Sequence, residues 1–168
     1  GVVPGFAKLA AEGLQFELSV SLHAPNDALR SQLMPVNRRW PLDELLAACR
    51  AYTRATGRVI TFEYTLVKGL NDSRACAEEL VHRLKTLPDC KVNLIPLSPV
   101  EHRPDFETPD EATQLAFLDV LMKARIQTML RRSRGRDVAA ACGQLRLREL
   151  ARGGTEAGGT EQERLTTT

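Results

Sequence analysis

An α/β fold, barrel-like or doubly wound, is the class this sequence predicts. Three observations lead there. Four strand-like runs alternate with helix-like runs, the stretches between strands are long enough for parallel crossovers, and Gly, Pro, Asn and Asp mark the junctions. In both variants of the class, ligands gather at the C-terminal ends of the strands.

The elements follow in order. Gly1-Val2-Val3-Pro4-Gly5 reads as a turn leading into a helix-like stretch from Phe6 to Glu12. It has no initiator methionine, so the chain is expected to begin inside a longer protein. From Gln15 to Leu22, apolar Phe16, Leu18, Val20 and Leu22 alternate with polar residues, the period of a strand. Pro25, Asn26 and Asp27 then mark a loop and a cap, and a short helix is expected through Leu29 to Leu33. Pro41 at the first helical position opens a helix with Leu42, Leu45, Leu46 and Cys49 on one face, and Gly57 stops it. Val59 to Val67, rich in β-branched and aromatic residues, is the next strand.

Asp72 is expected to cap a helix from Ala75 to Leu87 that turns Cys76, Leu80, Leu84 and Leu87 to one side. Lys91 to Ile95 is a third strand, broken by Pro96, and a loop with Pro96, Pro99 and Pro104 runs on to Glu107. Thr108-Pro109-Asp110-Glu111 has the form of a capping box with proline at the first helical position. The helix it opens is expected to carry Leu115, Leu118 and Leu121 inward. Ile126 to Leu130 is a fourth strand. Residues 151–168, rich in Gly, Thr and Glu, have almost nothing to bury and are expected to form a disordered tail after a folded part spanning 1–150.

Composition narrows the class of function. The 168 residues suffice for one domain with a core, and 43% hydrophobic with 26% charged residues is ordinary for a soluble protein. Net charge is only +2, so basic residues matter through clustering. No apolar run approaches the ~18 residues of a membrane span. Cys49, Cys76, Cys90 and Cys142 match neither a zinc-ligand spacing nor a secreted disulfide framework, which points to a reducing cytoplasm. No Gly-rich phosphate loop or dinucleotide fingerprint follows any strand.

Three polar constellations fall at strand ends: Ser21 to His23, Asn93 to Ser98, and an arginine run after the fourth strand. That run, Arg131, Arg132, Arg134 and Arg136, leads into Ala139-Ala140-Ala141-Cys142-Gly143-Gln144. A thiol acts chemically as thiolate, and nearby cations lower its pKa from about 8.5 toward neutrality. Small neighbours leave the sulfur reachable, and guanidinium groups suit phosphate oxygens. One reading is therefore a reactive cysteine beside a nucleic-acid contact; the other is a small core cysteine after a solvated basic turn. Glu101 to Asp105 reads as a surface loop, His82 as a solvated helix residue and Trp40 as packing beside the Pro41 helix.

Ser21-Leu22-His23-Ala24-Pro25-Asn26-Asp27, Asn93-Leu94-Ile95-Pro96, Arg134-Gly135-Arg136-Asp137 and Ala140-Ala141-Cys142-Gly143-Gln144-Leu145 occur in that order. Together they resemble the RlmN/Cfr family of radical S-adenosylmethionine (SAM) enzymes, the RlmN type more than the Cfr type. The resemblance runs over most of residues 1–150. It implies a partial (β/α) barrel and methylation of carbon 2 of an adenosine in 23S rRNA, in some bacteria also of tRNA; Cfr-type members methylate carbon 8. It implies SAM and a [4Fe-4S] cluster as cofactors, an external electron donor, no membrane partner, and a monomeric full-length enzyme in the cytoplasm.

The family's Cys-x-x-x-Cys-x-x-Cys cluster motif is absent here, as are its general-base glutamate and its resolving cysteine. The chain is thus similar to the C-terminal half alone and is expected to be inactive by itself. By resemblance, Cys142 is the cysteine that is methylated by one SAM before the carbon passes to the adenine. Ser21, Leu22 and His23 match a SAM-contacting stretch, Asn93 a SAM-contacting asparagine, and Arg131, Arg132, Arg134 and Arg136 are candidates for RNA contact. The contrasting hypotheses are a non-enzymatic RNA-binding α/β module whose cysteine is structural, or part of an unrelated barrel hydrolase or lyase.

Overall fold

The computed structural model describes residues 2–13, 16–98 and 106–131. Within residues 1–132, one compact unit, four strands form a parallel sheet in the order of the chain: β1 (Leu18–Ser21), β2 (Ile60–Leu66), β3 (Cys90–Pro96) and β4 (Gln127–Leu130). Sequential order decides between the two predicted variants. A doubly wound sheet reverses its strand order partway, whereas consecutive right-handed crossovers without reversal set every helix on the same face, as in a barrel wall.

The crossovers carry α2 (Asp27–Leu33), a 3₁₀ turn at Pro35–Arg38 and α3 (Leu42–Thr56), then α4 (Arg74–Leu84), then α5 (Glu111–Lys123); α1 (Val3–Ala11) precedes β1. Strict alternation in β2 buries Ile60, Phe62, Tyr64 and Leu66 while Thr61, Glu63 and Thr65 stay half-exposed. The buried set joins Val20, Val92 and Leu94 with Leu45 and Cys49 of α3, Leu80 of α4, and Phe117 and Leu121 of α5 in one core. Helices therefore cover one face of the sheet. α1 docks on α3 through Phe6 edge-on to Tyr52, centroids 6.3 Å apart.

Several boundaries differ from the sequence reading, each for a local reason. α1 begins at Val3, because Pro4 sits in its first turn, where a missing N–H costs nothing. β1 is Leu18–Ser21 only, and Phe16 is 48% exposed instead of alternating into the core. Pro41 is the cap of α3 and not its first residue; the Leu42 N–H is instead satisfied by Asp27 Oδ1 at 2.8 Å, from across the crossover. Gly57 ends α3 in the left-handed conformation, φ 68°, as expected. α4 is capped by Ser73, whose side chain accepts from the Cys76 N–H, while Asp72 accepts from the Gly69 N–H within the preceding turn.

Pro96 does not break β3 but ends it in register with Leu66, and the Leu97 N–H donates to the Leu66 carbonyl to carry the pairing on. The cap of α5 is Asp110 and not Thr108: Asp110 accepts from the Thr113 N–H at 2.7 Å, while the Thr108 hydroxyl donates to the Leu97 carbonyl. Leu121 points inward, Leu118 is partly buried against the core, and Leu115 is 45% exposed; Phe117 takes the place expected of Leu115, 5.2 Å from Tyr64 between ring centroids. The tail at 151–168 and the loop at Glu101 to Asp105 lie outside the described residues.

Candidate functional site

Among the described residues, the face that the helices leave uncovered carries the polar positions of every strand. Register sets Ser19, Thr61, Lys91 and Gln127 on one rung, and Ser21, Glu63, Asn93 and Met129 on the next. Ser21, Glu63 and Asn93 are each half-buried. Ser21 and Asn93, two residues 72 positions apart that sequence patterns singled out, thus sit two strand spacings from each other, ~10 Å across a parallel sheet. Glu63 lies between them and was missed. Period-two alternation could have put its side chain on the open face, but its neighbours depend on register.

At the end of β1 the chain is held group by group. The Leu22 and His23 N–H groups both donate to the Glu63 carbonyl, at 2.9 and 3.3 Å. Arg30, fully buried, donates from Nη2 to the Ser21 carbonyl at 3.2 Å and from Nε to the Leu22 carbonyl at 3.1 Å. Its Nη1 donates to Asn37 Oδ1 at 2.6 Å, and the Asn37 amide donates in turn to Asp27 Oδ1 at 2.9 Å. The His23 carbonyl accepts from Asn71 Nδ2 at 2.7 Å. Buried Asn71 also donates to the Thr65 carbonyl and accepts from the Val67 N–H, both at 2.7 Å, and so ties the loop after β2 to the loop after β1. His23 is thereby fixed at φ 59°, a left-handed conformation that histidine adopts more readily than most side chains.

The imidazole of His23 is oriented as well. Its Nδ1 accepts from the Thr65 N–H at 3.0 Å. A neutral ring accepting at Nδ1 carries its proton on Nε2. Burial, and then the positive charge of Arg30, push its pKa down to about 4, so the ring is neutral at physiological pH. The strand end therefore offers one fixed N–H donor. With a hydroxyl at Ser21, an amide at Asn93 and a carboxylate at Glu63, this donor set suits a small polar ligand laid across the sheet. The side chain of Leu22 is 1% exposed and belongs to the core, which leaves only its backbone near this face.

Arg131 is exposed just past β4, and its N–H donates to the Leu94 carbonyl at 2.9 Å. That puts one guanidinium beyond the same ends of the strands. Arg132, Arg134, Arg136 and Cys142 lie outside the described residues. Cys49, on α3, is buried and burial pushes its thiol up to about 12, while burial and then Asp89 raise Cys90 to about 11, so neither is poised as a thiolate. Cys76 is buried in α4. Among the described residues no group of three or more His, Cys, Asp or Glu could hold a metal ion, and no helix is long and apolar enough to cross a membrane. The residues described here do not fit an iron–sulfur cluster. His82 is exposed on α4, and Trp40 lies under the Arg39 guanidinium, 4.9 Å from its ring centroid.

No protein-family model matches the chain. Over 146 residues, 87% of its length, it is 51% identical to the probable dual-specificity RNA methyltransferase RlmN of Pelotomaculum thermopropionicum, of which it covers 39%. It is 49% identical over 148 residues to the protein of the same description from Symbiobacterium thermophilum, covering 40% of it. The chain thus spans about two fifths of the length of these curated relatives. A radical SAM methyltransferase from Sphaerobacter thermophilus superposes with a TM-score of 0.81 at 52% identity, over 86% of this chain and 42% of that one. A domain of the pyruvate-formate lyase-activating enzyme from Bacteroides vulgatus matches with a TM-score of 0.61 at 17% identity, over 77% of this chain and 74% of that one, which speaks for the fold alone.

Proposed function

We propose that this chain, a homologue of the RlmN proteins over about two fifths of their length, is the part of a radical SAM RNA methyltransferase that cradles SAM and carries the methyl-accepting cysteine. The observation that supports this reading is the shared rung of Ser21 and Asn93 on the open face of a parallel sheet, with His23 locked just past the end of β1, two residues after Ser21. Bound there, SAM supplies an activated methyl group and, with a cluster held elsewhere in the protein, the radical that functionalises it.

Each residue has a task that follows from its chemistry. Ser21 and Asn93 hold polar atoms of SAM. His23 donates its Nε2–H to an acceptor oxygen or nitrogen of SAM and stays neutral throughout. Arg30 and Asn71 touch no ligand in this reading; they set the backbone from which His23 projects. Cys142 is the methyl-accepting residue, and the substrate is carbon 2 of an adenosine in 23S rRNA, with tRNA as a second substrate. The arginines at 131, 132, 134 and 136 hold the RNA backbone through phosphate contacts. The protein works in the cytoplasm with an external electron donor, and residues 1–150 act as one barrel portion followed by a tail at 151–168.

The test is peptide mass spectrometry on the protein purified from its own cells, reading the tryptic fragment that contains Cys142. A methyl group on that sulfur supports the reaction class and the residue together. An unmodified thiol in protein supplied with SAM and cluster removes Cys142 from the chemistry and leaves an RNA-binding module.

A further inference from the structure

Arg38 and Arg39 are both exposed, yet the 3₁₀ turn that presents them is fixed from below. Asn37, 2% exposed, accepts from Arg30 Nη1 at 2.6 Å and donates to Asp27 Oδ1 at 2.9 Å. The Arg39 and Trp40 N–H groups both donate to the Val36 carbonyl at 3.2 Å, and Asp27 Oδ1 also accepts from the Leu42 N–H. The clasp that holds the end of β1 therefore holds this turn too. Because Asp27 lies six residues past β1, the two arginines stand on the side of the fold where the strands end.

Their charge is not neutralised within the described residues. Asp43, the nearest acid in the chain, pairs with Arg83 at 2.7 Å, and neither Arg38 nor Arg39 makes an ion pair among the described residues. Other exposed cations on this side are engaged, Lys68 with Glu107 and Arg74 with Glu78. Exposed Arg54, Arg58, Lys85 and Arg125 stand at the opposite end, where helices finish and the next strands begin. The Arg39 guanidinium lies over the Trp40 ring, 4.9 Å from its centroid. Stacking sets the plane of the guanidinium and leaves its in-plane N–H groups to donate. Two adjacent cations on a fixed backbone suit anions held at a fixed spacing, as along a nucleic-acid strand. We infer that Arg38 and Arg39 hold neighbouring phosphates of an RNA strand beside the strand ends, with Trp40 as the positioning residue for Arg39. This inference rests on the reading of the protein as an RNA methyltransferase.

Fluorescence anisotropy of the 168-residue chain with a labelled RNA hairpin, read between about 50 and 200 mM salt, tests it. Arg38→Ala with Arg39→Ala should bind about tenfold more weakly, with a log–log salt slope shallower by roughly 1.4, the loss of two phosphate contacts on a single strand. Arg38→Lys with Arg39→Lys keeps the charge and should keep the slope. Trp40→Ala should weaken binding about threefold, and Trp40→Phe should restore most of it. Arg54→Ala with Arg58→Ala, at the opposite end, should bind as the wild type does. A double alanine variant at 38 and 39 with wild-type affinity and slope overturns the inference while leaving RNA binding in place. So does an equal loss from the pair at 54 and 58, or an equal loss toward polyglutamate, which would mark a general anion surface. If the wild type binds no RNA at 50 mM salt, the RNA reading itself falls and takes the inference with it.

Discussion

The backbone N–H of Thr65 donates to Nδ1 of His23 at 3.0 Å, across 42 positions of sequence. One bond thus decides which nitrogen of the imidazole faces the open side of the sheet with a proton. Nitrogen NMR of the imidazole at pH 6 should show the neutral Nε2–H form, with titration centred near pH 4. A ring that titrates near its ordinary 6.5 contradicts the geometry.

The same depressed pKa makes stability depend on pH. The unfolded chain binds a proton at His23 near pH 6.5, and the folded chain does so only near 4, so acid favours unfolding in between. Urea midpoints should fall as pH is lowered from 6.5 to 4, with a contribution from this group on the order of 3 kcal/mol. His23→Gln should flatten that part of the profile.

Arg30 is buried with three acceptors and, among the described residues, no carboxylate in direct contact. Arg30→Ala leaves the Ser21 and Leu22 carbonyls and Asn37 Oδ1 without their donor, an expected loss of about 3–5 kcal/mol in urea unfolding. Arg30→Lys keeps the charge but cannot reach all three acceptors with its compact ammonium, and should lose roughly half as much. A change below 1 kcal/mol for Arg30→Ala would remove the clasp from the account.

On α5, Phe117→Ala should cost about 3–5 kcal/mol, because it opens a cavity against Tyr64. Leu115→Ala, at an exposed position, should stay within about 0.5 kcal/mol. The reverse order would restore the helix face that spacing alone suggested.

Thiol labelling separates core cysteines from a chemical one. At pH 8 the native chain should leave Cys49 and Cys90 unalkylated, since burial holds both thiols protonated, and both should react in urea. Rapid native labelling of either would mean that the core around α3 and the start of β3 opens readily.

Local chemistry wrote much of this fold legibly into the chain. Alternation in Ile60 to Leu66 marked a strand and its buried side, and Gly57 stopped a helix where a left-handed residue was needed. Ser21 and His23 were legible as polar groups at a strand end, and Asn93 as a polar group interrupting an apolar run, though it stands in the middle of β3 and not at its end. Caps were read less well. Satisfaction of the Leu42 N–H by Asp27, and the preference of the Thr108 hydroxyl for the Leu97 carbonyl, arise from groups brought close only by the crossovers.

What the sequence determined by itself is thus the element order, the apolar face of each strand and the presence of polar groups at the strand ends, all set by interactions between near neighbours. Tertiary structure alone decided that the strands run in unreversed order, that Glu63 stands between Ser21 and Asn93, and that Arg30 is a buried clasp and not a solvated helix residue. The physical reason is register. A shift of one residue between strands would leave every local pattern intact while turning Glu63 away from its rung, so the site exists only once the whole core has fixed the pairing.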